Sequence, residues 1–204
     1  MRYTTIYNDP VRRATVFEPW CYWDKAFTDE ELQQIIDYCE SKELSHGTTF
    51  GQISKEEKEK VRISDVGFHN RNSETAWIFD RVNFVLQSAN EMFYGFHLNG
   101  YDSFQYTIYD AEKNGNYDWH MDTHMGSSTD QFEIRKLSMT LLLDEGFEGG
   151  EFQLNVGNQN EPAILPAKKG RALLFPSFMC HRVAPVTKGI RRSLVVWCLG
   201  PKFI

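Results

Sequence analysis

The chain has 204 residues, of which 41% are hydrophobic and 14% aromatic, which is sufficient for one domain with a substantial core. Charged residues make up 25% of the chain, the usual value for a globular protein, and this excludes general disorder. The formal net charge of -6 disfavours a large nucleic-acid-binding face, because such faces are basic.

The sequence contains no signal for export or membrane insertion. No apolar stretch reaches the length of a membrane span, and the N-terminus lacks the apolar core of a signal peptide. Cys21, Cys39, Cys180 and Cys198 are scattered without a close pair, which is typical of reduced cysteines used for packing. We therefore expect a cytoplasmic protein without a disulfide framework, a zinc knuckle or a membrane partner.

Residues 1–95 are expected to form a helical N-terminal layer. Residues 1–26 are rich in aromatic residues and predicted to be irregular. Thr28 can cap the first helix, with Glu31 at the third position of a capping box, and apolar residues recur at helical spacing up to Cys39. The apolar stripe that follows predicts a second helix over residues 73–93.

Between these helices, residues 54–62 are almost entirely charged. Such a stretch is usually a solvated helix or a mobile loop. A polar segment over an active site has the same composition, so residues 45–70 are also a candidate gate.

From residue 96 onwards the sequence pattern changes to short runs of aromatic and β-branched residues that are separated by glycines. Strands are predicted at residues 104–109, 137–143, 151–156, 171–175 and 193–199. Helices followed by short strands predict a mainly β fold with α, a β-sandwich or open barrel packed against the N-terminal helices. The chain shows no internal repeat or linker, so one domain is expected over residues 1–204, with its β core at 96–204.

The strongest chemical signal is the sequence His120-Met121-Asp122, followed by a distant His181. On a strand, residues i and i+2 face the same side, so His120 and Asp122 can point together while Met121 points away. Two imidazoles and one carboxylate suit ferrous iron, because they supply nitrogen and oxygen donors and leave coordination positions open.

Other interpretations of these residues remain open. Asp122 could be a turn residue, and a lone His181 could be a packed or surface histidine. His124 lies at i+2 from Asp122 and could compete as a ligand. If the segment were helical, His120 and His124 would resemble a zinc pair, although the general-base glutamate of the zinc-protease signature is missing.

Arg191 strengthens the iron interpretation. A small dicarboxylate that chelates iron at one end needs its other carboxylate neutralised, and a guanidinium is the best match for it. Ser193 would share the face of Arg191, whereas Arg192 should point to the opposite side. Taken alone, the Arg191-Arg192 pair could also be a solvated basic turn.

These motifs resemble those of the prolyl-hydroxylase-like 2-oxoglutarate- and Fe(II)-dependent dioxygenases, and within them the PKHD-type hydroxylases. The segment from Tyr117 to Asp122 is similar to the family pattern Tyr-x-x-His-x-Asp. Residues 137–143 and the Glu-Gly-Gly-Glu turn at 148–151 resemble the strand and hairpin between the ligands. Residues 181–193 closely resemble the segment with the third ligand and the co-substrate arginine. The resemblance covers roughly residues 100–200.

The resemblance implies a double-stranded β-helix, or jelly roll, in a single dioxygenase domain. It implies catalytic roles for His120, Asp122, His181 and Arg191, the first three as iron ligands and Arg191 as the partner of the distal carboxylate of 2-oxoglutarate. Further residues expected at the co-substrate pocket are Tyr109, Ser138, Ser193 and Trp197. Leu142 stands where some animal members have a second co-substrate tyrosine, so a small hydroxyl, from Ser138 or Ser193, is expected to assist Arg191.

The implied activity is hydroxylation of an unactivated C–H bond. The reaction would use Fe(2+) as its metal cofactor, consume 2-oxoglutarate and O2, and release succinate and CO2. Ascorbate is an expected accessory reductant. The expected substrate is a peptidyl residue, with proline favoured, in a protein or peptide, and a small-molecule substrate is the alternative. The sequence does not predict the oligomeric state.

Two further functions are alternatives. Oxidation of a nucleic-acid base is disfavoured by the acidic composition, and by Trp197 at the position where the base-demethylase branch has another arginine. A catalytically inactive jelly-roll binding module is disfavoured because charged residues directed inward are costly to retain without a function.

Overall fold

The computed structural model describes residues 18–48, 61–123, 133–158 and 160–202. Within these ranges the chain forms two α-helices, α1 (Asp29–Glu40) and α2 (Ala76–Ala89). The strands that carry or border the site are β3 (Arg62–Ile63), β5 (Ser103–Asp110), β6 (Asn116–His120), β7 (Glu133–Leu142), β12 (His181–Val183) and β14 (Ile190–Pro201). The others are β1 (Cys21–Trp23), β2 (Ser45–His46), β4 (Asp65–Asn70), β8 (Glu148–Gly149), β9 (Phe152–Leu154), β10 (Ala163–Ile164), β11 (Ala172–Pro176) and β13 (Val186–Lys188).

The strands form a jelly roll made of antiparallel sheets. The large sheet has seven strands in the order β1-β11-β7-β14-β5-β4-β2, and the small sheet has five in the order β10-β9-β12-β6-β3. A separate ribbon pairs β13 with β8. The predicted fold class, a mainly β jelly roll with N-terminal helices, is confirmed.

Helix α1 begins where the sequence predicts, because both halves of its capping box form. The Thr28 hydroxyl accepts a hydrogen bond from the Glu31 N–H at 3.2 Å, and a Glu31 carboxylate oxygen accepts one from the Thr28 N–H at 2.8 Å. Its apolar stripe, from Leu32 to Cys39, is buried against the large sheet. Helix capping and periodicity thus agree with the tertiary packing.

Helix α2 begins three residues later than predicted. The Asn72 side chain accepts hydrogen bonds from the N–H groups of Glu74 and Thr75, and this turn occupies the first part of the predicted span. At its other end α2 continues into a π-helical turn, Asn90–Tyr94, which stops at Gly95 with φ 60°. Gly95 tolerates this left-handed backbone without the penalty of a Cβ atom.

The large sheet separates two apolar clusters. The residues of β14 alternate between them, because neighbouring side chains of a strand face opposite sides. Leu194, Val196 and Cys198 pack toward the helices. The other face, between the sheets, carries Arg191, Ser193, Val195 and Trp197. The polar side chains of Arg191 and Ser193 therefore face the space between the sheets because of the alternation of β14.

The N-terminal layer is not exclusively helical, so this part of the prediction is wrong. Strand β1 lies within the segment predicted to be irregular and pairs with β11, and β4 pairs with β5 along its full length. These strands are short, and β4 interrupts its apolar residues with Gly67 and His69, so their period-two pattern is weak.

The flanks of the candidate gate are also strands rather than loop, since β2, β3 and β4 fall within residues 45–70. The remainder of that segment, residues 49–60, lies outside the described residues. None of the helices in the described ranges is long and apolar enough to cross a membrane.

Candidate metal centre and its cavity

The metal-ligand candidates come from two neighbouring strands of the small sheet. Strand β12 pairs with β6 so that His181 lies directly opposite His120. Strand β6 ends at His120, and Asp122 lies in the loop that follows, where its N–H donates to the Ser177 carbonyl at 2.9 Å. The prediction that Asp122 continues the strand is therefore wrong, because this hydrogen bond to the loop after β11 replaces the strand pairing.

The three side chains nevertheless converge. One donor atom from each of His120, Asp122 and His181 lies within 4.8 Å of the other two. The carboxylate oxygens of Asp122 lie 3.8 Å from Nε2 of His120 and 3.6 Å from Nε2 of His181. Met121 points away and is half exposed, as the sequence predicts. His124, the competing candidate, lies outside the described residues.

Main-chain carbonyls orient both histidines. Nδ1 of His120 lies 2.7 Å from the Asp118 carbonyl oxygen, and Nδ1 of His181 lies 2.9 Å from that of Met179. A carbonyl oxygen only accepts, so each Nδ1 must carry the proton. Each Nε2 then presents its lone pair to the shared centre, which is the arrangement that a metal ligand requires.

The Asp122 carboxylate is held by the buried hydroxyl of Ser138. Ser138 Oγ donates to Asp122 Oδ2 at 2.6 Å and lies 2.8 Å from Ser177 Oγ. The structure thus places Ser138 beside the ligand carboxylate and not beside Arg191. The sequence predicted that Ser138 would assist Arg191 in binding the co-substrate. In the structure its hydroxyl instead contacts the carboxylate of a metal-ligand candidate, because its position on β7 lies beside Asp122.

The surroundings of His120 and Asp122 keep these two side chains in the protonation states that bind a metal. Burial lowers the pKa of His120 to about 3, and repulsion from His181 contributes to the same shift. Burial opposes ionisation of Asp122, but the two histidines and the Ser138 hydroxyl hold the pKa of its carboxyl below the ordinary value. At neutral pH the site therefore offers a neutral imidazole and a carboxylate, with no thiolate, a donor set that fits ferrous iron.

Arg191 lies on the inner face of β14, opposite Tyr109 of β5, and is only 3% exposed. Its Nη1 donates to Ser193 Oγ at 3.3 Å, and its Nε has no hydrogen-bond partner among the described residues. Burial lowers the pKa of Arg191, although Tyr109 and Asp144 oppose the shift. A buried guanidinium with an orphaned donor fits an anionic ligand, and 2-oxoglutarate meets this requirement.

Other cavity residues fall near their predicted positions. The Tyr109 ring centroid lies 5.6 Å from the Arg191 guanidinium carbon, and Trp197, which lies opposite Ser138 in the pairing of β14 with β7, lines the same cavity. Nε1 of Trp197 is buried and has no partner among the described residues. Arg192 occupies the opposite face, as predicted, but pairs with Glu40 and Asp144 instead of being simply solvated.

Sequence reasoning missed several lining residues. Thr140 faces the cavity from β7, two positions from Ser138. Gly150 lies against Arg191, since a Cβ atom there would come within 2.9 Å of the arginine Cδ. Arg62 reaches the cavity from β3. The alternation of β7 could have revealed Thr140, whereas the other two contacts depend on tertiary packing.

A wider cleft of about 580 Å³ opens beside the metal centre. His120, Asp122 and Trp197 line both the cleft and the inner cavity. Arg62 and Arg135 line the cleft as well. The centre therefore lies between an inner cavity that ends at Arg191 and an outer cleft of a size that accepts a second molecule.

Comparison with known proteins agrees with this geometry. Residues 104–199 match the family model of the 2OG-Fe(II) oxygenase superfamily. A PKHD-type hydroxylase of Synechococcus sp. (strain CC9311) is 38% identical over 96 residues, which is 46% of this chain and 40% of that protein. A PKHD-type hydroxylase of Thermosynechococcus vestitus is 26% identical over 178 residues, 85% of this chain and 75% of that protein. The first match thus spans less than half of the relative's length.

Solved structures share the fold at low sequence identity. A Pseudomonas putida prolyl-4-hydroxylase superposes with a TM-score of 0.67 at 16% identity, over 91% of this chain and 94% of that one. A Trichoplax adhaerens prolyl hydroxylase, solved with a hypoxia-inducible-factor peptide fragment, gives 0.70 at 17% identity over 89% and 84%. Over residues 104–199 the chain is therefore similar to the 2OG-Fe(II) oxygenase superfamily, and it shares its jelly-roll fold with these prolyl hydroxylases.

Proposed function

We propose that this protein is a 2-oxoglutarate- and Fe(II)-dependent dioxygenase that hydroxylates an unactivated C–H bond of a peptidyl residue, with proline favoured. One oxygen atom of O2 enters the hydroxylated product and the other enters succinate, while 2-oxoglutarate loses CO2. The observation that carries this proposal is the convergence of His120, Asp122 and His181 in a cavity that ends at the buried Arg191.

His120, Asp122 and His181 would hold the iron through two Nε2 atoms and one carboxylate oxygen. When bound, iron with 2-oxoglutarate and O2 supplies the oxidising power for the C–H bond. The protein residues supply orientation. The Asp118 and Met179 carbonyls fix the imidazole rings, and Ser138 fixes the carboxylate.

Arg191 would bind the distal carboxylate of 2-oxoglutarate through charge-assisted hydrogen bonds, with the Ser193 hydroxyl fixing one edge of its guanidinium. Tyr109 would close the same end of the cavity, and Trp197 would separate it from the cleft. Such a chamber keeps the co-substrate dry and in one orientation, which is the main contribution of a protein to cofactor chemistry.

A peptide substrate is supported by the open cleft beside the metal centre and by the prolyl hydroxylases that share this fold, one of which was solved with a peptide. A peptidyl residue would enter this cleft from its open side. A free amino acid would use the same entrance, so both substrate forms belong in the assay.

The test is succinate formation that requires both Fe(II) and 2-oxoglutarate, measured with ascorbate, peptides that contain proline, and free proline. We expect His120→Ala and Asp122→Ala to abolish it, because each leaves only two protein ligands. Asp80→Ala, which removes a carboxylate from an exposed ion pair, is the matched control and should retain activity.

Unchanged succinate output in either ligand variant would refute the proposal. Turnover on methylated oligonucleotides but on no peptide or amino acid would replace it with base oxidation. Failure of the purified chain to bind iron in a titration would favour an inactive binding module.

A further inference from the structure

We propose that Arg62 is a positioning residue of the metal centre, and that it acts through the ring of Tyr117 to fix the plane of the His120 imidazole. This inference deepens the proposed function and rests on it for the identity of the metal, but it concerns metal binding rather than turnover. Arg62 lies on β3, far from His120 in the chain, so no local motif assigns it to the centre.

A register shift in β6 brings Tyr117 and His120 to the same side of the strand. His181 lies opposite His120 and Val183 lies opposite Tyr117, so two steps along β12 match three steps along β6. Side chains three positions apart face opposite sides of a regular strand, whereas one extra residue in a bulge returns them to the same side. Bulges occur often beside active sites because they redirect a side chain in this way.

The Tyr117 ring lies directly on the His120 imidazole. The two ring centroids are 3.5 Å apart, and the rings are only 13° from parallel. The Asp118 carbonyl fixes one edge of the imidazole through Nδ1, but a single hydrogen bond leaves the ring free to tilt. The stacked tyrosine restricts that tilt, and with it the direction of the Nε2 lone pair.

The guanidinium of Arg62 covers the other face of the same tyrosine ring. Its carbon atom lies 4.6 Å from the Tyr117 centroid, and the imidazole at 3.5 Å already occupies the first face. Arg62 and Tyr117 are paired in the register of β3 with β6, so the main chain sets this contact. A planar guanidinium over an aromatic ring is an attractive arrangement. The ring is therefore held between a ligand imidazole and a cation.

The Arg62 side chain is itself held in place. It is 6% exposed, its Nε donates to Ser64 Oγ at 2.8 Å, and its Nη1 donates to the Thr48 carbonyl at 3.3 Å. A Cβ atom at Gly47 would come within 2.8 Å of the arginine Nε and would collide with Ser64 Oγ. Glycine at this position thus leaves the space that the arginine side chain occupies, and Arg62 presents a fixed surface to Tyr117.

The second ligand imidazole is supported differently. The ring centroids of Phe152 and Phe175 lie 5.3 Å and 4.6 Å from that of His181, and both phenylalanines belong to a buried apolar cluster. Tyr117 packs at the margin of this cluster and is only partly buried. Arg62 therefore supplies at the edge of the cluster the support that buried rings supply at its centre.

The test measures metal binding by variants of the stack. Dissociation constants for Fe(II) are measured by anaerobic calorimetry, and the visible absorption spectrum of added Co(II) reports the geometry of its ligands. Arg62→Gln removes the guanidinium, and Arg62→Lys keeps the charge without the planar group. Tyr117→Leu removes the ring, and Tyr117→Phe retains it.

We expect Arg62→Gln to weaken Fe(II) binding roughly three- to tenfold and Tyr117→Leu to weaken it about tenfold or more, with Arg62→Lys between Arg62→Gln and the wild-type chain. These variants should also change the Co(II) spectrum, because the imidazole is free to tilt. Tyr117→Phe should retain most of the affinity that Tyr117→Leu loses. If Arg62 served stability alone, its variants would lower the thermal unfolding temperature of the metal-free chain and leave the Co(II) spectrum unchanged.

Arg182→Gln is the matched control. Arg182 also lies over an aromatic ring of β6, with 4.8 Å to the centroid of Trp119, and its Nε donates to Gln153 Oε1 at 2.9 Å. That ring is not the one that stacks on His120, so the Fe(II) affinity of this variant should stay within about twofold of the wild-type value. Circular dichroism shows whether each variant is folded, and Arg62→Gln decides the test even where Tyr117→Leu does not fold.

Wild-type Fe(II) affinity and an unchanged Co(II) spectrum in Arg62→Gln would overturn the inference. Equal losses in Tyr117→Phe and Tyr117→Leu, or in Arg182→Gln and Arg62→Gln, would also overturn it, because the effect would then not depend on the stack. The expected changes in metal binding without succinate formation would contradict the proposed reaction alone. Fe(II)-dependent succinate formation without these changes would contradict this inference alone, and no Fe(II) binding by the wild-type chain would contradict both.

Discussion

Replacing Ser138 with alanine tests how the metal centre is built. Ser138 is fully buried on β7, and its hydroxyl donates to Asp122 Oδ2 at 2.6 Å. The Ser138→Ala variant removes this hydrogen bond and leaves the charge of Asp122 and the ligand atoms in place. The variant therefore tests the effect of carboxylate orientation separately from the effect of losing the carboxylate.

The magnitude follows from the type of hydrogen bond. A bond to a charged group contributes about 1.5–3 kcal/mol, and a partner that orients a metal ligand changes metal affinity roughly 10–100-fold. The two figures agree, because about 1.4 kcal/mol corresponds to a tenfold change in a dissociation constant. We expect the iron affinity of Ser138→Ala to fall within this range, since its Asp122 carboxylate is free to rotate away from the histidines.

Anaerobic calorimetry with Fe(II) measures the effect directly. Ser177→Ala is the matched control, because Ser177 Oγ lies 2.8 Å from Ser138 Oγ, whereas its hydrogen bond with Asp122 is made by its main-chain carbonyl, which the substitution leaves in place. We expect a change of less than about threefold in this variant. Wild-type iron affinity in a folded Ser138→Ala protein would refute the role assigned to this hydroxyl.

Three further variants test the cavity and the frame around it. Gly150→Ala should raise the 2-oxoglutarate dissociation constant several-fold, because its Cβ atom would press on Arg191. Gly95 has a similar positive φ but open space around it, so Gly95→Ala should leave this constant unchanged. Equal dissociation constants for the two variants in calorimetry would contradict this reasoning. Thr28→Ala should lower the free energy of unfolding in urea by about 1 kcal/mol through loss of the capping box, and no change would show that the cap is dispensable. Arg171 forms a bidentate ion pair with Asp24, and its side-chain hydrogen bond holds the pKa of that carboxyl below the ordinary value of 3.8. Asp24 is one-third exposed, so solvent screening limits the loss in Asp24→Asn at pH 7 to about 1 kcal/mol or less. Because the folded-state pKa of Asp24 is lowered, the stabilisation is present above the ordinary pKa and disappears as the pH falls through the folded-state value. If the urea unfolding curves of the wild-type protein and Asp24→Asn differ equally at neutral and strongly acidic pH, this ion pair is not the cause.

Residues close together in the chain made much of this protein predictable. The capping box at Thr28 and the apolar period of α1 are local patterns, because their physical causes act within one turn of the helix. Arg191 and Ser193 could also be assigned to one face, because alternation along a strand does not depend on its partners.

The tertiary structure alone decided which distant side chains meet. Ser138 reaches Asp122, and Arg62 reaches the cleft, through the pairing of strands far apart in the chain, and no local pattern encodes that register. The end of β6 before Asp122 likewise depends on the hydrogen bond that the Asp122 N–H donates to the Ser177 carbonyl in another loop. Local composition determined which chemistry the chain carries, whereas long-range strand pairing decided its geometry, because a buried polar group takes its partner from whichever strand packs against it.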